Sequence, residues 1–583
     1  MNNSPQEFTF NNINRLWSYL IINEINFQNV SGFYTSPGLR NAPLLWATTK
    51  VNAEKIYSGF DERAQAYRAI GAYKKTGLPS VLLCTSGTAM ANYYPAVIEA
   101  WKDKIPLIII SSDRPHDLVW GDHNQTIPQE NMYGKFVLET VDLGLPTIDI
   151  SPRALTTKVA QLIHKAAYQG GPVHLNIRFR EPLDHSFAEI DSDYVDSAIK
   201  HINKIATSFH PMTNLPGELP KHVQDMILSS SKPLITVGGL RDYDQDTKKL
   251  IHKVIDQLGG LYHFDITSSL KFTMNNGAGH IPSPDHPEVI RDLKKDPPDL
   301  ILHFGSRLTS KHTYTWLENS EIPLIQFGSS CDSEDPSSSC EYKIFGPTNM
   351  ALQALKNLLE NHKAKPHWLE WEDTIIKKEE LIESAPISFA YISKKSIEHA
   401  PKDAQFYIGN SSIIRSFNNY STLSTESEKK NFTVYSNRGV SGIEGFIACS
   451  LGLAEQTKDL PTYLFLGDIS ALHDLSSLAQ LTIKKNLNLK IIILNNSGGG
   501  IFKLLPINND KDQSYLELMT TPHQVNFKNL ISALNIECSQ VTDKESFHRE
   551  FTKLENNKNI SIIEVVIDDQ NNINLFNQLK TIQ

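Results

Sequence analysis

Several absences narrow what this chain can be. No run of apolar residues approaches the roughly 20 needed to span a bilayer, and the opening MNNSPQEFTFNN has neither the basic start nor the apolar stretch of a secretory leader. Cysteine is scarce and odd in number: Cys84, Cys331, Cys340, Cys449 and Cys538 form no C-x-x-C pair. That fits reduced thiols better than a disulfide framework, so a cytoplasmic location is expected. An excess of basic charge is missing too. With 56 Lys and Arg against 65 Asp and Glu, the net charge is -9 and the pI about 6.1. Such a balance argues against a nucleic-acid partner or an anionic membrane surface, so any anionic ligand must meet a locally basic pocket. Short-period repeats and low-complexity tracts are also lacking.

What is there is an ordinary globular composition, 40% hydrophobic and 21% charged, on a chain too long for one hydrophobic core at 583 residues. From Val30 to Asp113 short apolar runs alternate with helical stretches. GFYTSPG, SVLLCTSGT and IPLIIISSD read as strands, RAQAYRAIGAYKKTG and MANYYPAVIEAWKD as helices. This is the rhythm of a parallel α/β sheet. It returns near the other end, where TYLFLGD is a strand, ISALHDLSSLAQLTIKK a helix and LKIIILNN a strand before the flexible SGGG. Between them KPLITVGGL and PDLILHFGS mark a third, Rossmann-like unit. The expectation is three α/β domains with parallel sheets, over residues 1–190, 191–365 and 366–583. The joints are the polar stretch after Glu181-Pro182 and the segment from Lys363 to Trp371.

The sharpest chemical signal is Gly467-Asp468 at the end of one strand with Asn495-Asn496 at the end of the next. Adjacent strand ends in a β-α-β unit lie side by side, so Asp468 and Asn496 can converge. A carboxylate, an amide oxygen and a backbone carbonyl from the Gly498 loop suit a hard cation such as Mg²⁺, which keeps coordination positions for phosphate and water. The helix beginning near Ile469-Ser470 turns free N–H groups toward the same place, favouring an anion.

This pattern resembles the diphosphate-binding motif of the thiamine-diphosphate enzyme superfamily. The resemblance implies that superfamily's fold at both ends of the chain and thiamine diphosphate with Mg²⁺ (or Mn²⁺) as cofactors. It further implies that Asp468, Asn496 and the Gly498 carbonyl hold the metal, with Gly467 and Ser470 beside the cofactor. Glu62, in GFDERAQAYRA, would be the catalytic acid that protonates the aminopyrimidine ring. By position alone it is also what a helix dipole favours in a first turn. Ile443, in RGVSGIEG, would wedge the two cofactor rings together, although an isolated isoleucine is more often simple core. In that superfamily the activating glutamate and the diphosphate site come from different subunits, which implies a homodimer or a dimer of dimers.

A closer resemblance, to the 2-succinyl-5-enolpyruvyl-6-hydroxy-3-cyclohexene-1-carboxylate synthases of menaquinone biosynthesis, runs in order along nearly the whole chain. It is carried by SPGLR, FDER, TSGTAMANYYPAVIEA, SSDRP, NQTIPQ, FGSRLTSK, GNSSIIRS, YSNRGVSGIEG, GDISALHDL and LNNSGGGIFKLLP. It implies decarboxylation of 2-oxoglutarate and conjugate addition of the succinyl unit to isochorismate. Both substrates carry several carboxylates, and arginine forks suit such groups. By resemblance Ser411 and Arg415 face the succinyl carboxylate. Arg40, Arg114, Asn124, Gln125, Lys311 and Arg438 surround the remaining polar groups, and Ile501 and Phe502 shape an apolar wall. Two positions depart from the family pattern: Leu39 stands where serine is common, and His312 where a second basic residue, arginine, is common. Other readings are a thiamine-diphosphate enzyme of the acetolactate synthase or 2-oxoacid decarboxylase type, which needs fewer arginines, and a catalytically silent fold, which would not need Glu62, Asp468 and Asn496 together.

Overall fold

The computed structural model describes residues 10–51, 53–202, 217–240, 245–273, 279–330, 332, 334–421, 430–457, 459–484, 486–509 and 514–582; Cys331 lies outside them. Three sheets organise the chain. The first contains β1 (Phe33–Ser36), β2 (Ile56–Ser58), β3 (Ser80–Cys84), β4 (Leu107–Asp113), β5 (Thr140–Asp142) and β6 (Val173–Arg178), in the order β2-β1-β3-β4-β6-β5. The second contains β7 (Pro233–Val237), β8 (Leu261–Phe264), β9 (Leu300–Phe304), β10 (Leu324–Gly328) and β11 (Cys340–Phe345), in the order β11-β10-β9-β7-β8. The third contains β12 (Gln405–Ile408), β13 (Thr433–Tyr435), β14 (Thr462–Gly467), β15 (Leu489–Asn495), β16 (Cys538–Val541) and β17 (Ser561–Val566), in the order β13-β12-β14-β15-β17-β16.

Counted from its own first strand, each end sheet runs second, first, third, fourth, sixth, fifth. The two ends therefore share a topology as well as a rhythm. The sheets are parallel because helices cross over between successive strands, and a sheet covered on both faces needs unbroken apolar runs rather than alternation. LIII within β4 and IIIL within β15 are buried at every residue. In each sheet the order reverses beside its first strand, which opens a crevice at the carboxyl ends.

By compactness the chain forms two units. The first comprises Met1–Pro211, Asn437–Asp459 and Ser470–Leu489; the second comprises Met212–Ser436, Leu460–Ile469 and Lys490–Gln583. In the first unit, aliphatic and aromatic side chains such as Trp17, Ile21, Phe33, Leu83, Ile110 and Leu175 form the core beneath the sheet. On another side, helix Glu62–Thr76 packs tightly on helix Phe446–Glu455. A Cβ added at Gly71 would lie 1.9 Å from the Cys449 carbonyl oxygen, and one at Gly452 the same distance from that of Arg68. Only glycine permits this approach, and it brings Arg68 into a buried ion pair with Glu455 at 2.5 Å. In the second unit, Phe406 and Phe465 stack and Phe417 meets both edge-on in the core of the third sheet, and Leu302, Phe304 and Phe327 belong to the core of the middle one.

One expected element is interrupted. The helix anticipated over ISALHDLSSLAQLTIKK breaks at Asp474 into Asp468–His473 and Leu475–Leu481. Asp474 leaves helical geometry and its carboxylate accepts from the N–H groups of Ile447 and Ala448, at 2.8 and 3.2 Å, and from the Ser477 hydroxyl. It serves the free N-terminal donors of another helix instead of continuing its own. Complete burial then pushes its pKa up to about 6.

Candidate active site

Nearly all the polar residues singled out from the sequence fall at or after the carboxyl end of a strand. Arg40 follows β1, Glu62 follows β2, Arg114 follows β4, Lys311 follows β9, Ser411 and Arg415 follow β12, Asp468 follows β14 and Asn496 follows β15. That edge is where ligands meet an open α/β sheet.

In the second unit Asp468 is only 2% exposed. Its Oδ1 accepts from the N–H of Ile469 at 2.7 Å, and its Oδ2 from those of Asn496 at 3.1 Å and Gly498 at 2.9 Å. The ends of β14 and β15 thus converge on one carboxylate. His523 Nδ1 accepts from the Val525 N–H, so in the neutral ring Nε2 carries the proton, and it lies 3.3 Å from Asp468 Oδ2. No lysine or arginine among the described residues pairs with Asp468, and burial raises its pKa.

The two adjacent asparagines separate cleanly. Asn495 is buried and consumed: its amide donates to Glu564 at 2.7 Å and to the Val525 carbonyl at 3.2 Å, while its Oδ1 accepts from Ser497. Asn496 donates through Nδ2 to Asp569 at 2.9 Å, and its Oδ1 has no donor among the described residues. The Gly498 carbonyl accepts from the Gly500 N–H at 2.9 Å, which leaves its second lone pair. Gly498 itself is required, because φ is +141° and a Cβ would meet the Thr520 carbonyl oxygen at 2.6 Å. A buried carboxylate with no strong cationic partner, an uncommitted amide oxygen and a nearby carbonyl fit an oxygen-ligated divalent cation. Helix Asp468–His473 has six residues and begins on the ligand itself, so its contribution to anion binding is small; Ser470 is half-buried within it.

Also in the second unit, Ser411 holds a left-handed backbone, φ +66° and ψ −135°, unusual for a residue with a side chain. Arg415, one turn on, donates to the Ser411 carbonyl at 2.7 Å, and its side chain is exposed. Lys311 opens helix Lys311–Glu318 and is exposed; Ser310 caps that helix and donates to Asp285 at 2.5 Å. Asp285 also accepts from Asn419 and acts electrostatically on Arg415. This acid, which the sequence reading missed, brings the Arg415 and Lys311 segments around one point. Ile501 and Phe502 are half-buried in the turn Gly500–Leu504.

In the first unit Glu62 is the first residue of its helix, but the N-cap is Asp61, whose side chain accepts from the Ala64 N–H at 3.1 Å. Capping is therefore not the task of Glu62, which is half-buried and accepts from Asn92 at 3.2 Å. Arg40 is 8% exposed and donates to the Phe179 carbonyl at 2.9 Å. Its Nε is buried without a partner, and no carboxylate lies within ion-pair distance among the described residues. Burial first, then the positive charge of Arg114, lowers its pKa, while the negative charges of Glu181 and Asp113 act in the opposite direction. Arg114 donates to Ser86 at 2.8 Å and to the Gln125 carbonyl at 3.1 Å, while the Gln125 amide donates to the Ser86 carbonyl. Asn124 is exposed beside it. Two guanidinium groups thus act on one another electrostatically, and Leu39, next to Arg40 in sequence, is 71% exposed.

Arg438 and Ile443 lie on a loop whose position depends on Glu99, a further residue the sequence reading did not assign. The buried Glu99 carboxylate accepts from the N–H groups of Gly439 and Val440, at 2.8 and 2.7 Å. Arg438 is half-buried and Ile443 is 40% exposed. Elsewhere in the unit, His116, Glu130 and Asp142 come close enough to resemble a metal cluster, but they are exposed and Arg178 engages both acids.

Comparison with known proteins agrees with this geometry. The family model described as "Thiamine pyrophosphate enzyme, N-terminal TPP binding domain" matches residues 18–132, and its C-terminal counterpart matches residues 418–565. A Rhodococcus jostii thiamine diphosphate-dependent 4-hydroxybenzoylformate decarboxylase superposes with a TM-score of 0.70 over 95% of this chain and 99% of that one, at 16% identity, and so shares the fold. The fold and site define a thiamine-diphosphate enzyme. Among relatives, a 2-succinyl-5-enolpyruvyl-6-hydroxy-3-cyclohexene-1-carboxylate synthase from Syntrophus aciditrophicus is 34% identical over 98% of this chain and 99% of its own length. One from Shewanella baltica is 32% identical over 95% of each chain. The chain belongs to this synthase family. No described helix is long and apolar enough to cross a membrane.

Proposed function

We propose that the protein decarboxylates 2-oxoglutarate and adds the succinyl unit to isochorismate in a conjugate, Stetter-like reaction, giving 2-succinyl-5-enolpyruvyl-6-hydroxy-3-cyclohexene-1-carboxylate for menaquinone biosynthesis. The observation that carries this beyond a generic thiamine-diphosphate enzyme is Arg40: a buried guanidinium near Arg114 with no carboxylate in ion-pair contact among the described residues, offset only by the longer-range charges of Glu181 and Asp113. Burying a charge without a counterion is costly, and an incoming carboxylate offsets that cost.

When bound, thiamine diphosphate supplies the nucleophilic carbon and the electron sink. Glu62 holds a proton at the aminopyrimidine N1′, with Asn92 steadying its carboxyl group. Asp468, Asn496 Oδ1 and the Gly498 carbonyl hold Mg²⁺ or Mn²⁺ on the diphosphate, beside Gly467 and Ser470. Ile443 would pack against the cofactor. Arg415 and Ser411 hold the far carboxylate of 2-oxoglutarate; Arg40, Arg114, Asn124, Gln125, Lys311 and Arg438 orient the remaining carboxylate and hydroxyl groups. Ile501 and Phe502 keep water from the reacting carbons. We place the enzyme in the cytoplasm, in keeping with free thiols at Cys84, Cys340, Cys449 and Cys538, as a homodimer or dimer of dimers. Exposed Leu39 and Phe60, each close in sequence to a site residue, support a covering partner.

The test is product analysis with 2-oxoglutarate and isochorismate, with and without thiamine diphosphate and Mg²⁺. Formation of the cyclohexene product only with both cofactors supports the proposal. Decarboxylation without transfer to isochorismate returns the protein to the decarboxylase type.

A further inference from the structure

Asp569 opens the last helix, Asp569–Thr581, immediately after β17 and far in sequence from the Asn495-Asn496 pair. Its Oδ1 accepts from Asn496 Nδ2 at 2.9 Å and its Oδ2 from Lys503 Nζ at 2.7 Å. Gly500 lies against this contact: a Cβ there would sit 2.3 Å from Asn496 Nδ2 and 2.4 Å from Asp569 Oδ1. The turn after the metal loop is thus shaped so that the acid can reach the amide.

A carboxamide has two faces of opposite character, and an ionised carboxylate only accepts hydrogen bonds. Asp569 can therefore be satisfied by Asn496 in one sense alone, with the NH₂ toward the acid and Oδ1 turned away from it. We infer that Asp569 is a positioning residue that fixes the amide sense of Asn496, so that the oxygen and not the nitrogen faces the cation. Through Lys503, the same acid ties down the turn that carries Ile501 and Phe502. The inference rests on the reading of Asn496 as a metal ligand. Outer partners of this kind commonly change metal affinity by about 10- to 100-fold.

The experiment uses the full chain and measures the Mg²⁺ concentration that half-saturates thiamine diphosphate binding, by calorimetry, together with the melting temperature without ligands. Asn496→Ala, Asp569→Ala and the double variant are compared. Asp569→Ala is expected to raise the Mg²⁺ requirement by about tenfold or more, and to add little to Asn496→Ala in the double variant. Asp569→Asn, close in size but able to pair with the amide in either sense, is expected to raise it several-fold and serves if the alanine variant fails to fold. An unchanged requirement in Asn496→Ala would overturn the metal reading itself. A raised requirement in Asn496→Ala with none in the Asp569 variants would overturn only this inference. So would an undiminished Asp569 effect in the Asn496→Ala background, because the acid would then act by another route.

Discussion

Replacing Glu62 by Gln separates two roles that a first-turn acid can play. The structure assigns capping to Asp61, whose carboxylate takes the Ala64 N–H at 3.1 Å. Asp61→Ala should therefore cost about 1 kcal/mol of stability, within a range of roughly 0.5 to 2. For helix stability Glu62 contributes its interaction with the helix dipole, about 0.3 to 1 kcal/mol, besides the hydrogen bond it accepts from Asn92. Gln still accepts from Asn92, so Glu62→Gln should lose less than about 1 kcal/mol and bind thiamine diphosphate normally. An amide cannot exchange the proton required at N1′, and such acid-base help contributes roughly 10² to 10⁴ in rate. That corresponds to about 2.7 to 5.4 kcal/mol of barrier, several times the stability term. Hydrogen-deuterium exchange at the thiazolium C2–H of bound cofactor, stopped by acid and read by NMR, isolates this step from substrate recognition. Calorimetry and denaturation supply the other two quantities. Glu62→Gln exchanging within about threefold of the parent, or losing as much stability as Asp61→Ala, would refute the assignment.

Arg415→Ala should lower kcat/KM for 2-oxoglutarate by about one to two decades, as expected for a lost charge-assisted bond of roughly 1.5 to 3 kcal/mol; unchanged kinetics would remove Arg415 from the site. Glu99→Ala leaves the buried Gly439 N–H without its acceptor, while the N–H of the 45% exposed Val440 can turn to water, and should destabilise the first unit by about 1 to 3 kcal/mol. Denaturation measures this, and a loss below about 1 kcal/mol would mean the loop is held by other contacts. His174 is buried against Ser111 and its pKa is lowered by burial to about 4 from an ordinary 6.5. The unfolded chain takes up this proton first, so the stability contributed by the neutral ring is present above pH 6.5 and falls away toward pH 4, by about 3 kcal/mol. A His174→Gln variant should show a flatter stability profile across that window; identical slopes would contradict the burial argument.

Much of the architecture was legible along the chain because it is encoded locally. Continuous apolar runs such as LIII and IIIL announced strands covered on both faces, and the Gly467-Asp468 and Asn495-Asn496 pairs stood at the ends of adjacent ones. The spacing of the motifs was enough to suggest the family, which the comparisons then showed. Parallel crossovers do the rest of that work, since they deliver successive loops to the same carboxyl edge whatever the details of packing.

The sequence by itself determined the alternation of elements, the residue types at the strand ends and the recurrence of arginines within the motifs. Tertiary structure decided which of these groups are committed. Asn495 and Asn496 are alike in composition and neighbours in sequence, yet Glu564 consumes one while Asp569 leaves the other's oxygen available. A first-turn acid such as Glu62 can serve the helix or a ligand, and only the Ala64 N–H, which bonds Asp61, shows that the cap is its neighbour. Glu99, Asp285 and Asp569 left no pattern to read, because their partners lie on segments distant along the chain. A hydrogen bond between remote segments depends on which backbones the core brings together, and that choice is made by the packing of the whole fold rather than by any stretch of sequence.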